Sequence, residues 1–171
     1  MATQPYTVAG PEITPPARTL PPLFDPAFYK ARQVDAGGDL FRHYILHGWR
    51  AGVAPHPLFD PGYYLQQRPD LREGRIDLLS HYVMHGWRED TSPHPLFDQR
   101  HYRTQVVLDE PELLHYLREG EASGVWPNPQ FCPSYYRAAH AALVGNSSPF
   151  RHYVEHGAAL GLRTAPRERP M

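Results

Sequence analysis

Histidine pairs four residues apart are the side chains of this chain best suited to chemistry. They are His43/His47, His81/His85 and His152/His156, with His115/Glu119 in the corresponding place of a fourth segment. On a helix, this spacing places two ligands on one face, where they can chelate zinc. No third ligand recurs at a fixed offset. We therefore expect no cofactor and a structural role, and a metal-binding protein or metal-dependent enzyme is the alternative.

Two tryptophan-arginine pairs are the second candidate group. Trp49-Arg50 and Trp87-Arg88 each directly follow a glycine at the end of a predicted helix. An indole beside a guanidinium can stack on a sugar or grip an anionic group. The indole can equally fill a seam between packed units and leave the arginine in solvent, which is the more common use of a large aromatic side chain. If the chain has a partner-binding surface, we predict that it contains these four residues.

Covalent catalysis has little support in the sequence. The serines lack a nucleophile-elbow motif, and no glycine-rich phosphate loop or dinucleotide fingerprint occurs. Cys132, the single cysteine, stands where related segments have a helix-capping aspartate. His56 and His94 precede prolines, and Asn128 replaces them in a third segment, which indicates a turn hydrogen bond. We predict that the protein is not an enzyme.

Composition narrows the possible partners. The formal net charge is −1, so no overall positive field attracts nucleic acid or an anionic membrane. No run of apolar residues is long enough to span a bilayer. Residues 1–22 lack the basic and apolar segments of a secretion signal, so we expect a cytoplasmic location.

These side chains belong to a unit that occurs four times. The sequence PLFDPAFY (22–29) returns at 57–64, 95–102 and 129–136, and HYILHGWRAG (43–52) returns at 81–90, 115–124 and 152–161. The spacing between Phe24, Phe59, Phe97 and Phe131 is 35, 38 and 34 residues. Two motifs in a fixed order, repeated four times, indicate a tandem repeat.

Each unit is predicted to contain two short helices. The first helix begins after Asp25, Asp60, Asp98 and Cys132, and the second begins near Asp39, Asp77, Pro111 and Ser148. We expect the second helix to end where a left-handed glycine closes it, at Gly48, Gly86, Gly120 and Gly157. One tyrosine recurs in each motif of every unit, which predicts a hydroxyl with a fixed partner, either a backbone carbonyl or the motif histidine.

Helices of this length are unstable alone, so the units must pack against one another. The predicted fold is all-α: four helix–loop–helix units stacked as a compact array. The predicted units span about 22–56, 57–94, 95–128 and 129–162, between disordered tails at 1–21 and 163–171.

The complete unit, Pro-Leu-Phe-Asp-Pro-x-Tyr-Tyr followed by His-Tyr-x-x-His-Gly-Trp-Arg, resembles repeats found in bacterial proteins. Similar units accompany glycosyltransferase domains in polysaccharide-synthesis enzymes and occur in some large calcium-binding surface proteins. The resemblance covers residues 22–162 and brings no catalytic residues with it. It implies an accessory role near glycan synthesis or the cell surface.

We therefore expect a non-catalytic module that recognises or scaffolds another protein. A glycosyltransferase or an envelope protein is the partner that the resemblance implies, and a glycan is the other candidate ligand. Repetition favours structure or multivalent binding, because a catalytic site is usually present once in a chain.

Overall fold

The computed structural model describes residues 23–33, 37–74 and 76–166. The regular secondary structure of this part of the chain is helical and includes no β-strand, which confirms the predicted all-α class. The two-helix unit recurs four times along it. No helix within it is both long enough and apolar enough to cross a membrane.

The first helix of each unit is short and capped as predicted. In chain order these helices are α1 (Pro26–Arg32), α3 (Pro61–Gln67), α5 (Gln99–Arg103) and α7 (Pro133–Ala139). Asp60 shows the usual cap, since its Oδ1 accepts a hydrogen bond from the N–H of Tyr63 at 2.9 Å. Asp25 and Asp98 repeat this bond, whereas Cys132 caps α7 without a side-chain hydrogen bond.

The second helix of each unit changes its winding halfway. It begins as one α-helical turn: α2 (Leu40–His43), α4 (Leu78–His81), α6 (Glu112–His115) and α9 (Pro149–His152). Each turn continues directly into a π-helical turn: Tyr44–Gly48, Tyr82–Gly86, Tyr116–Gly120 and Tyr153–Gly157. In the second unit, the N–H of Trp87 donates to the carbonyl of Tyr82, five residues earlier, at 3.3 Å.

The motif glycines therefore do not close these helices, and the predicted left-handed cap was misplaced. Gly86 lies inside the π turn, and the left-handed residue of this unit is Asp90, four positions later, with φ 54°. The other units have glycine in this later position, for example Gly52 with φ 72°. The motif position is occupied by glycine for another reason, because a tyrosine side chain packs against it.

Loops between the two helices contain most of the length differences. The second unit inserts a 3₁₀ turn, Pro69–Glu73, and the fourth inserts a short helix, α8 (Ala141–Val144). Such insertions at the surface cost little, because the entropy of closing a loop rises slowly with its length.

A backbone hydrogen bond joins the start of each unit to its end. The N–H of Asp25 donates to the carbonyl of Pro55 at 2.9 Å, and Asp60 pairs in the same way with Pro93. The corresponding bonds of the third and fourth units are Asp98 to Pro127 and Cys132 to Thr164, both 2.8 Å. Every unit is thus closed on itself.

The fourth closing bond corrects the predicted tail at 163–171. Thr164 completes the fourth unit, and His140 Nε2 donates to the carbonyl of Arg163 at 2.9 Å. The predicted tail at 1–21 and the rest of the second tail, 167–171, lie outside the described residues.

Aromatic rings make up much of the core, and they bridge units. Within the fourth unit, the rings of Phe131 and Phe150 lie 5.0 Å apart, centroid to centroid. Phe150 also packs edge-on against Tyr116 of the third unit at 5.6 Å. Edge-to-face contacts of this kind add to the free energy gained from burying the rings.

The fourth unit also contacts the first. Arg151 donates to Oδ2 of Asp25 at 2.6 Å, although the two residues are far apart in sequence. The array therefore curls back on itself.

Candidate functional site

Each unit contains a buried tyrosine–histidine–glycine group, which accounts for three letters of the repeat motif. In the second unit, the Tyr64 hydroxyl and Nδ1 of His81 form a hydrogen bond of 2.8 Å. A methyl group at Gly86 would lie 2.0 Å from the same hydroxyl. The equivalent groups join Tyr29, His43 and Gly48 (2.8 Å), Tyr102, His115 and Gly120 (2.6 Å), and Tyr136, His152 and Gly157 (2.9 Å).

Burial makes the Tyr64–His81 pair a poor proton shuttle. Burial raises the pKa of Tyr64 far above neutrality, so the phenol keeps its proton. Burial, reinforced by the charge of Arg68, lowers the pKa of His81. Both groups are therefore neutral at pH 7. Acid–base catalysts have pKa values near the working pH, so this pair has the character of a structural hydrogen bond.

The second histidines point outward and do not complete a metal site. His47, His85 and His156 are exposed, and the rings of His81 and His85 lie 5.7 Å apart. Within the described residues, no group of three or more His, Cys, Asp or Glu side chains is placed to hold a metal ion. Nδ1 of the first histidine in each pair bonds a tyrosine, which leaves Nε2 as its one possible metal ligand. Because no third ligand lies beside the pairs within the described residues, the geometry gives little support to the metal alternative.

The two tryptophans lie within the fold. Trp49 and Trp87 are 3% and 7% exposed, respectively. The guanidinium carbons of Arg50 and Arg88 lie 4.3 and 4.0 Å from the centroids of their neighbouring indoles. Each arginine covers its own tryptophan, so the guanidinium is the part of each pair that an incoming molecule meets first.

Sequence reasoning missed two exposed apolar residues beside these arginines. Leu46 is 49% exposed and Met84 is 54% exposed, and each precedes its arginine by four residues. The third and fourth units have Arg118 and Glu155 in the same positions. This difference is visible in the sequence, because only the first two units have a large apolar residue directly before the second member of the His–His or His–Glu pair.

Two exposed or half-buried arginines of the third and fourth units, Arg118 and Arg151, are paired with carboxylates of the chain. Arg118 bonds Glu110 and Glu119, each at 2.6 Å. Arg151 bonds Glu155 at 2.8 Å as well as Asp25. Surface pairs of this type contribute little to stability, but they lower the charge that a partner would find there.

The first two units keep their motif arginines free of close ion pairs. Arg88 has only Asp109 nearby, at 3.9 Å, and Arg50 forms no ion pair among the described residues. The four residues Leu46, Arg50, Met84 and Arg88 thus combine apolar and cationic character at equivalent positions of adjacent units. We call this set the outer face.

The residues before the three later copies of the first motif, His56, His94 and Asn128, form turns, as predicted. Nδ1 of His56 accepts a hydrogen bond from the N–H of Leu58 at 3.0 Å, and Asn128 Oδ1 accepts one from Gln130 at 2.8 Å. Burial lowers the pKa of His56 to about 4, with a smaller contribution from Arg151. His56 is therefore a neutral acceptor in the fold.

The described clefts lack a convergent catalytic set. One cleft, of about 290 Å³, lies where the fourth unit meets the first, between Phe28, Arg32 and His156. Arg32 stacks on Phe28 at 3.4 Å, and Glu155, which also lines the cleft, is bonded to Arg151. Cys132 is buried at the start of α7, where its Sγ lies 3.4 Å from Ser134 Oγ.

Comparison with known proteins found no match for this chain. No protein-family model, curated protein or solved structure matched this sequence or its fold.

Proposed function

We propose that this chain is a non-catalytic recognition module that binds another protein through the outer face of its first two units. The observation that carries the proposal is the exposure of Leu46 and Met84 beside Arg50 and Arg88. Large apolar side chains at a surface, next to guanidinium groups without close ion pairs, are typical of protein contact sites.

Charge and shape favour a particular kind of partner. A segment with an apolar side chain flanked by carboxylates would fill the space beside Leu46 or Met84 and pair with Arg50 or Arg88. A glycan is a weaker candidate, because sugars stack on open aromatic faces and both indoles are covered by arginine.

The repeat resemblance supplies the biological context of the proposal. We propose a bacterial glycosyltransferase or envelope protein of polysaccharide or glycoconjugate synthesis as the partner. The chain would act as its accessory scaffold. Two equivalent contacts in adjacent units would raise the overall affinity, because the first contact increases the effective concentration of the partner at the second.

Affinity capture from the source cells, with the whole chain as bait, is the experiment that identifies the partner. Binding is then compared between the wild type and the double variant Arg50→Glu/Arg88→Glu, which reverses both charges of the outer face. We expect this variant to weaken binding by about a hundredfold. The variant Leu46→Asp/Met84→Asp should have a similar effect.

The matched control reverses two exposed arginines elsewhere. Arg72→Glu/Arg100→Glu changes the net charge by the same amount at positions outside the outer face. Equal losses in the test and control variants would contradict the proposal, since the effect would then be one of net charge. Replacing Trp49 and Trp87 by alanine is not a binding test, because loss of these buried rings should lower the helical circular dichroism signal and the stability.

A further inference from the structure

The second and third junctions between consecutive units use equivalent positions. We call the tyrosine and tryptophan positions of the π turn the front positions of a unit: Tyr44/Trp49, Tyr82/Trp87, Tyr116/Glu121 and Tyr153/Ala158. The first residues of its two helices are its rear positions: Pro26/Leu40, Pro61/Leu78, Gln99/Glu112 and Pro133/Pro149.

Contacts at the second and third junctions run from the front positions of one unit to the first helical residues of the next, at a rear position or directly after it. The N–H of Leu113 donates to the Tyr82 hydroxyl at 3.3 Å, and Gln99 Nε2 lies 3.5 Å from the carbonyl oxygen of Trp87. In the third junction, Glu121 Oε1 accepts from the N–H of Phe150 and from the Tyr116 hydroxyl, both at 2.9 Å. The junction thus works with either tryptophan or glutamate at its second front position.

Burial of the rear positions differs between the first unit and the other three. These positions are buried in the second, third and fourth units. In the first unit, Pro26 is exposed and Leu40 is only half-buried. Among the described residues, the rear of the first unit is therefore the uncovered half of a junction that the chain builds three times.

Burial of the front positions gives the complementary result at the other end. Tyr44, Tyr82 and Tyr116 are at most 1% exposed, whereas Tyr153 is half-buried. Ala158 is exposed, while the tryptophans in the same position are buried. The front of the fourth unit is the other uncovered half.

Contact between the fourth and first units leaves both halves accessible. It uses Arg151 and Asp25, with Phe28 and His156 lining the cleft beside them. None of these is a front or rear position. The curl of the array therefore does not occupy the junction surfaces at its two ends.

We propose that the front of the fourth unit docks on the rear of the first unit of a second copy of this chain, continuing the array across molecules. The occupant is a second copy because the two uncovered surfaces are the two sides of the junction already formed inside the chain. A head-to-tail contact leaves one front and one rear free after each addition, so the product is an open chain of copies. This inference is independent of the proposed function of the outer face.

Sedimentation velocity across a concentration series tests the proposal with the full chain. We expect the wild-type mass to rise above the 19.6 kDa of one chain as concentration increases. Ala158→Trp introduces the residue that the first two units bury at this position and should strengthen association about tenfold. Ala158→Arg should abolish association, because it places an unpaired charge in the contact.

Two controls distinguish a specific junction from nonspecific association. Ala159→Arg adds the same charge one residue away, at the exposed position held by Arg50 and Arg88, and should leave association unchanged. Pro26→Glu blocks the rear of the first unit, and Gln99 shows that this helix forms without proline.

Mixing blocked variants tests the direction of the contact. Pro26→Glu/Ala158→Trp alone and Ala158→Arg alone should each remain monomeric, and a mixture of the two should form dimers and nothing larger. Self-association of either blocked variant would overturn the proposal, and so would a monomeric wild type together with a monomeric Ala158→Trp variant. A wild type that stays monomeric but loses thermal stability on Pro26→Glu would also overturn it, because Pro26 would then be covered within the chain.

Discussion

At the scale of single residues, one tertiary contact explains why glycine stands in the middle of a helical segment. The Tyr64 hydroxyl occupies the place where a side chain at Gly86 would begin. Glycine weakens a helix by about 1 kcal/mol relative to alanine. The protein accepts this cost because the buried hydroxyl needs both the space and its hydrogen-bond partner His81.

Gly86→Ala should therefore destabilise the protein by about 2 kcal/mol through overpacking. In a Tyr64→Phe background, the clashing oxygen is absent, and the alanine should cost at least about 1 kcal/mol less. Urea denaturation of the two single variants and the double variant measures this coupling. Gly37→Ala is the control, since a methyl group there has no atom within 4 Å. Strictly additive free energies would contradict the assigned contact.

The sequence predicted half of this group. Eight tyrosines in two fixed positions indicated hydroxyls with fixed partners, and the motif histidine was one of the two partners expected. The predicted role of the glycine was wrong. Residues that end a helix act locally and can be recognised in sequence, so the glycine was assigned that role. The approach of Tyr64 to Gly86 depends on how two helices pack, and no spacing rule along one helix contains it.

At the scale of elements, the caps were predictable and the π turns were not. Cap residues act within three residues of the chain, so Asp25, Asp60 and Asp98 identified their helices from sequence alone. A π turn shifts the hydrogen-bond partner by one residue, and the same sequence also fits an α-helix. The shift recurs in all four units, each time beside the tyrosine–histidine–glycine group.

Cys132→Asp should stabilise the fourth unit by about 1 kcal/mol. The backbone at Cys132 (φ −97°, ψ 106°) matches that at Asp60 (φ −100°, ψ 105°), so an aspartate can accept a hydrogen bond from the Tyr135 N–H without rearrangement. Thermal unfolding of the variant measures the gain. Cys132→Ala removes the thiol without adding an acceptor and should not stabilise. Equal melting temperatures for the aspartate and alanine variants would contradict the cap assignment.

At the scale of the whole molecule, the fourth unit contacts the first close to the residues that end the first unit. Arg151 of the fourth unit bonds Asp25 of the first, and its charge also acts on His56. Burial works to raise the pKa of Asp25, but the hydrogen bond from Phe28 and the guanidinium of Arg151 outweigh it and hold that pKa below its usual value. The region is thus arranged around an ionised Asp25 and a neutral His56.

Stability should fall as the pH is lowered from about 6.5 toward about 4. Burial lowers the pKa of His56 from 6.5 to about 4. Between these values the unfolded chain takes up a proton that the folded chain excludes, so acid favours unfolding. The effect of this one residue is at most roughly 3 kcal/mol.

His56→Asn should flatten this dependence, because Asn128 makes the same turn in the third unit without titrating. Urea unfolding at a series of pH values compares the variant with the wild type. His47→Asn changes an exposed histidine of the same unit and serves as the control. An unchanged slope in the His56→Asn variant would show that the acid sensitivity arises elsewhere.

The backbone bond that closes each unit has a consequence for how such chains change in length over generations. Because Asp60 and Pro93 hold the two ends of a unit side by side, a stretch of gene encoding one unit can be copied or deleted with its ends already matched. An added copy brings its own closing bond and tyrosine–histidine–glycine group, and it needs only one new junction with its neighbour. Recombination thus has a natural cutting point at every Pro-Leu-Phe, and the number of units can vary while the architecture of each one is kept.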